Sequence, residues 1–172
     1  MPTVTHTPDA LKNGVQEDFI KLTSALQGAV DEKNFSGREI DRLAIAHDAS
    51  HYLLVPGGIV RPENAQDIGK IFAAAREHQI PLAFRSGGTS LSGQSSSDGI
   101  LLDTRKHFKK IEVLDSGRRV RVEPGATVMM VNNHLAPYGY KLGPDPASWS
   151  ACTIGGVVAN NSSGMSSGTE FN

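Results

Sequence analysis

Apolar residues recur at helical spacing between Val15 and Val30, where Phe19, Leu22, Leu26 and Val30 share one face. That spacing predicts an amphipathic helix packed against a neighbour. Residues 38–49 show no clear period and are expected to be irregular. Tyr52–Val60 is apolar but interrupted by Pro56-Gly57-Gly58, the pattern of two short strands joined by a turn. A second helix is expected from Asn64, a good cap, with Asp67 three residues on in the manner of a capping box. Ile68, Ile71, Phe72 and Ala75 would form its buried stripe, and Gln79-Ile80-Pro81 ends it. Leu82–Phe84 and Ile100–Asp103 read as short strands. Strand, helix and strand in this order favour parallel pairing with a crossover helix.

Beyond residue 110 the pattern changes. Ile111–Leu114 and Val120–Glu123 are strands separated by Asp115-Ser116-Gly117-Arg118, a hairpin signal. A helix is expected from Thr127 to about Pro137, with Gly139 in the place of a left-handed cap. Thr153–Asn160 fits either a small-residue strand or a turn of helix. The rest is loop. Two strands with no further sheet suggest a second subdomain that this chain contains only in part. The expected architecture is therefore α+β with two subdomains, divided as an N-terminal helical segment over 1–40, a first subdomain over 41–113 and the start of a second over 114–172. A cut sheet would leave an edge open to pairing with another copy.

Composition narrows the function classes. The 172 residues carry 38% hydrophobic and 20% charged side chains, an ordinary globular balance able to form a core. The formal net charge is −1, which supplies no basic field for nucleic acid. One cysteine, Cys152, allows no internal disulfide and no thiolate metal centre, in keeping with a reducing, cytoplasmic setting. Residues 1–18 lack the charged and apolar regions of a signal peptide. No apolar run is long enough to span a bilayer, so any membrane contact of a longer parent would be peripheral.

The candidate chemistry lies where the glycines concentrate. In Phe84-Arg85-Ser86-Gly87-Gly88-Thr89-Ser90-Leu91-Ser92-Gly93-Gln94, a strand runs into paired glycines followed by hydroxyl residues. Glycine permits positive φ and removes the Cβ, so successive backbone N–H groups can turn toward one anion. Ser and Thr add donors and Arg85 adds charge close by. A pyrophosphate suits such a loop; a plain Gly/Ser turn is the competing reading. The loop is not a P-loop, because no Gly-Lys-Ser/Thr follows, and it lacks the G-x-G-x-x-G spacing of a dinucleotide fold. A second loop runs from Gly143-Pro144-Asp145-Pro146-Ala147-Ser148 through Cys152-Thr153-Ile154-Gly155-Gly156 to Asn160-Asn161-Ser162-Ser163-Gly164. Its prolines stiffen the entry and its glycine pair allows close approach of a flat or charged group.

Both loops resemble the FAD-binding domain of the vanillyl-alcohol oxidase and para-cresol methylhydroxylase superfamily, and within it the branch of D-lactate dehydrogenases and the glycolate oxidase FAD subunit. Arg85–Gly93, Val122-Glu123-Pro124-Gly125, Pro144-Asp145-Pro146 and Thr153–Gly156 with Asn160–Met165 carry the resemblance, in the same order along the chain. Asp41-Arg42, Asp48-Ala49-Ser50 and Val60-Arg61-Pro62 fit the same layout.

The resemblance implies an FAD pyrophosphate held by Ser86, Gly87, Gly88, Thr89, Ser90, Gly93 and Gln94 with Arg85 beside them. It implies a second loop contacting the rest of the cofactor through Pro144, Asp145, Ser148, Thr153, Ile154, Gly155, Gly156, Asn160 and Gly164. Some relatives bond a histidine after the paired glycines to the flavin; Thr89 stands there, which implies non-covalent FAD. The implied parent activity is oxidation of a 2-hydroxy acid such as D-lactate or glycolate. Its substrate-handling residues would lie in a C-terminal region outside this chain, leaving the segment alone inactive. Two other readings stand beside it: a non-catalytic FAD- or partner-binding module, and the same fold acting on sugars, phenols or amino-sugar nucleotides. Cys152 and Met129-Met130 read as packing residues, and Trp149 either covers part of the nucleotide or anchors its loop.

Overall fold

The computed structural model describes residues 9–165. Helix α1 (Asp9–Ala25) is followed by turns to Val30, strand β1 (Phe35–Ser36) and a short helix α2 (Glu39–Ala44). Next come β2 (Gly58–Val60), α3 (Ala65–Glu77), β3 (Leu82–Arg85) and β4 (Ile100–Asp103). The remaining elements are β5 (Ile111–Leu114), β6 (Arg119–Val122), α4 (Val128–Leu135) and α5 (Ile154–Ala159).

The first sheet has the order β1-β2-β4-β3. β4 pairs in parallel with both β2 and β3, and β1 adds antiparallel to β2. The expected β-α-β unit is therefore present, with β4 inserted between the two strands that α3 connects. β4 is buried at every position because it is central and covered on both faces. Its side chains alternate accordingly. Ile100 and Leu102 join Val60, Leu22, Leu26, Ile71 and Ala75 beneath α1 and α3. Leu101 points the other way, to Ile59 and Ile45. Full burial of a side chain of this size contributes about 1.5–3 kcal/mol, so this strand is the mechanical base for the loops at its end.

Helix α3 starts where the sequence places it. The Asn64 side chain accepts from the Asp67 N–H at 2.9 Å, and the Asp67 carboxylate accepts in return from the Glu63 N–H at 3.0 Å. Ile71 and Ala75 are buried as expected, but Phe72 is exposed. Ala74 takes its place in the stripe, and Phe72 instead tilts onto Phe84 of β3 with ring centroids 5.8 Å apart.

Other departures are local. Residues 39–44, expected to be irregular, form α2, which buries none of its own side chains and so leaves no apolar stripe to read. Tyr52–Val60 yields one strand rather than two. Leu53 makes only an isolated bridge with His47, while Gly57 donates to the carbonyls of Asp98 and Gly99. Gly58 is required because the Phe19 ring occupies the space of a Cβ.

The second sheet is the β5–β6 hairpin, in register Ile111 with Val122 through Leu114 with Arg119. Its turn places Asp115, Ser116 and Gly117 at positive φ. Helix α4 covers it through Val131 and Leu135, with Ala126 just ahead of the helix in the same cluster. Met129 and Met130 are only half-buried; Val128 and Val131 are the core positions. Gly139 adopts φ 75° and closes the turn after α4, as the sequence predicts. Thr153–Asn160 resolves as helix α5. Among the described residues no helix is long and apolar enough to cross a membrane.

Candidate functional site

The loop after β3 and the segment leading into α5 face each other across a cavity of about 570 Å³. That lies within the range of cofactor sites. The first loop contributes Ser86, Gly87, Gly88, Thr89, Ser90 and Gln94, and the second contributes Ser148, Thr153, Gly155, Gly156 and Asn160. These are eleven of the expected site residues, drawn from segments more than fifty positions apart.

Three contacts set the spacing of the two loops. The Ser86 and Thr153 hydroxyls hydrogen-bond directly. A Cβ on Gly87 would collide with the Ala151 carbonyl, so only glycine lets the loops approach this closely. A Cβ on Gly156 would press on the Ser86 Oγ from the other side. Thr153 caps α5 with its backbone, since its hydroxyl is committed to Ser86.

The second loop is in turn fastened to the corner between β6 and α4. Ile154 and Gly155 donate to the carbonyls of Ala126 and Pro124 at 2.8 and 2.9 Å, and Val128 donates to Cys152. Gly125 fits against the carbonyls of Thr104 and Phe108, where a side chain would not. Val122-Glu123-Pro124-Gly125 thus serves as the floor to which the second loop is tied. Trp149 is exposed and its carbonyl accepts from Met129, which anchors the loop; its side chain does not line the cavity.

The first loop presents donors. Among the described residues, no hydrogen bond within the chain engages the backbone N–H of Gly87, Gly88, Thr89 or Ser90. Gly88 and Gly93 adopt φ of 68° and 80°, the left-handed region glycine tolerates. Ser90 bonds Gln94 across the loop, and Tyr52 packs against Gly93.

Arg85 lies behind this loop. It is 4% exposed and donates to the His47 carbonyl at 2.5 Å and the Ser95 carbonyl at 3.1 Å. Burial lowers its pKa, assisted by the charge of Arg105 and opposed by Asp48 and Asp103. Asp48 continues the network, accepting from the Ser50 N–H at 2.8 Å and the Ser95 hydroxyl at 3.2 Å. Pro144, Asp145, Ile154, Gly93 and Gly164 also stand outside the cavity lining. Gly164 packs on the Asp145 backbone at φ 143°, and Ile154 belongs to the core beneath α5.

Sequence reasoning missed several lining residues. Ile68, Ala83, Phe84 and Thr104 come from α3, β3 and the end of β4. Cys152, read as a packing residue, is 5% exposed and lines the cavity as well. The described residues hold no cluster of three or more His, Cys, Asp or Glu suited to a metal.

With this geometry in place, comparison with known proteins is direct. A family model described as "FAD binding domain" matches residues 56–171. The chain is 35% identical over 131 residues to the D-2-hydroxyglutarate dehydrogenase of Escherichia coli K12, covering 74% of this chain and 13% of that protein. It is 33% identical over 118 residues to the glycolate oxidase subunit GlcD of the same organism, covering 67% and 24%. It is 34% identical over 110 residues to the D-lactate dehydrogenase of Archaeoglobus fulgidus, covering 62% and 24%. The chain thus spans between an eighth and a quarter of the length of these relatives. Among solved structures, alkyldihydroxyacetonephosphate synthase superposes with TM-score 0.74 at 19% identity, covering 84% of this chain and 30% of that one. Para-cresol methylhydroxylase with substrate bound gives 0.71 at 18% identity, covering 85% and 30%. At these identities the likeness is one of fold.

Proposed function

This chain belongs to the FAD-binding domain family, and from that premise we propose that it seats FAD non-covalently in the cleft between the two loops, as the cofactor-holding part of a 2-hydroxy-acid oxidoreductase. One observation carries the seating. Gly87 to Ser90, whose backbone N–H groups have no partner among the described residues, line a cavity together with residues of the Thr153–Asn160 segment. Four adjacent backbone donors, the first two on residues without a Cβ, suit a diphosphate, whose charge they would share. Ser148, Gly155, Gly156 and Asn160 face the remainder of the cofactor. Bound there, FAD would supply the acceptor for the hydrogen and electron pair lost from the carbinol carbon. The chain's own residues bind and orient it. The absence of a histidine at Thr89 supports non-covalent attachment.

The activity rests on relatives named for D-2-hydroxyglutarate, glycolate and D-lactate. Substrate contacts would come from a region outside this chain; among the described residues none of the cavity-lining side chains is cationic and could pair with a carboxylate. We place the protein in the cytoplasm on the strength of its single, unpaired Cys152. Acid precipitation tests the mode of attachment: flavin should be released to the supernatant. Reduction of the bound flavin by a panel of D-2-hydroxy acids, measured on a protein that includes the substrate-handling region, tests the activity. Flavin left in the pellet would exclude non-covalent binding, and bleaching by no hydroxy acid would exclude the activity.

A further inference from the structure

Arg85 packs against Gly88 of the proposed diphosphate seat, yet each of its terminal nitrogens donates a hydrogen bond elsewhere. One serves the carbonyl of Ser95, ten residues on, and the other the carbonyl of His47, thirty-eight residues back. The guanidinium is almost wholly buried and does not line the cavity. Gly88 lies directly over it: a Cβ there would fall on the guanidinium carbon and nitrogens. Gly88 holds φ 68°, the left-handed turn directly after the strand end. We propose that Arg85 is a positioning residue that fixes the shape of the cofactor loop through Gly88, and that it makes no direct contact with the diphosphate.

The inference rests on the FAD seating proposed above. Three features support it. The two terminal nitrogens of Arg85 each reach a backbone carbonyl, those of Ser95 and His47, while Nε meets no partner among the described residues. A planar fork can span two fixed carbonyls, which the point charge of a lysine does not do. The carboxylates of Asp48 and Asp103 oppose the burial and the Arg105 charge that act on Arg85, and Asp48 also holds Ser95, one of the residues the fork grips. The strand end, Gly88 and the return of the loop at Ser95 are thereby tied to one rigid group.

The test compares the purified chain with R85K and R85M, with folding followed by far-UV circular dichroism. FAD affinity is measured by flavin fluorescence over about a tenfold range of KCl, since a cation on a phosphate is screened by salt. A strut predicts that R85K, which keeps the charge, loses FAD affinity as R85M does, on the order of tenfold. It also predicts parallel plots of log Kd against log salt for all three proteins. R85K binding as tightly as wild type, or a variant with a shallower salt dependence than wild type, overturns the inference. If the Arg85 variants do not fold, G88A carries the same question with the charge intact. Weaker FAD binding with an unchanged salt dependence supports the strut, and unchanged binding overturns it. A folded wild-type chain that binds no FAD would instead overturn the seating itself, and with it this inference.

Discussion

The hydroxyl of Ser86 meets that of Thr153, 67 residues further along the chain, and this contact joins the two walls of the proposed cofactor cleft. One residue directly follows β3, the edge strand of the first sheet; the other caps a helix fastened to the second. The cleft is thus formed within the protein by its own side chains. S86A and T153V should each weaken FAD binding about fivefold, in line with a net hydrogen bond of roughly 1 kcal/mol. The double variant should be little worse than either single one, as expected of partners in one contact. Fluorescence titration of the four proteins measures this. Fully additive losses would show that the two hydroxyls act separately.

Gly87 is the steric counterpart of that contact. G87V should abolish detectable FAD binding, because the added carbons need the space of the Ala151 carbonyl. Forced overpacking of this kind costs about 1–3 kcal/mol in stability, so thermal unfolding should shift down without loss of fold. Retained FAD affinity in G87V would mean that the loops need not approach as they do here.

Asp103 offers a pH-dependent prediction. Burial alone would raise its pKa, but hydrogen bonds from the Arg105 side chain and backbone, with the charges of Arg105 and Arg61, hold it below the usual carboxylate range. A depressed carboxylate contributes stability that is fully present above its unfolded pKa of about 3.9. That contribution is lost as pH falls through the lower folded value. D103N should therefore destabilise the protein at neutral pH, by roughly 2 kcal/mol given a partner that is partly exposed. The difference from wild type should shrink in acid. Urea unfolding at several pH values checks both points, and a difference constant down to the acid limit would contradict them.

Asn64 serves as a control remote from the cleft. N64A removes the cap of α3 and should lower stability by about 1 kcal/mol. FAD affinity should stay within twofold or so, since a local cap loss leaves distant sites independent. A large loss of flavin affinity would show that α3 supports the cleft more directly than Ile68 alone suggests.

Much of this fold was legible in the sequence, for identifiable reasons. The β-α-β unit, the hairpin and the Gly139 cap follow from Asn64, Ile71, the Asp115–Arg118 turn and glycine placement, all local signals. Helix α2 was not legible, because Ile40 and Leu43 stay exposed and mark no buried face. Phe72 was misplaced because its partner, Phe84, belongs to a strand the helix pattern does not reveal. At the site, the glycine and hydroxyl residues of both loops were legible since backbone approach constrains residue type. Ile68, Phe84 and Thr104 were not, because they reach the cavity only through the packing of α3 on the sheet. Arg85 was read by its charge; its burial beneath Gly88 is a tertiary fact no spacing conveys.

Whether the two glycine-rich loops together hold FAD is decided by titrating the purified chain with FAD, followed by visible absorbance and flavin fluorescence. Saturable one-to-one binding is expected, with a perturbed flavin spectrum in wild type and none in G87V. A folded wild-type protein that leaves the spectrum of free FAD unchanged would contradict that expectation.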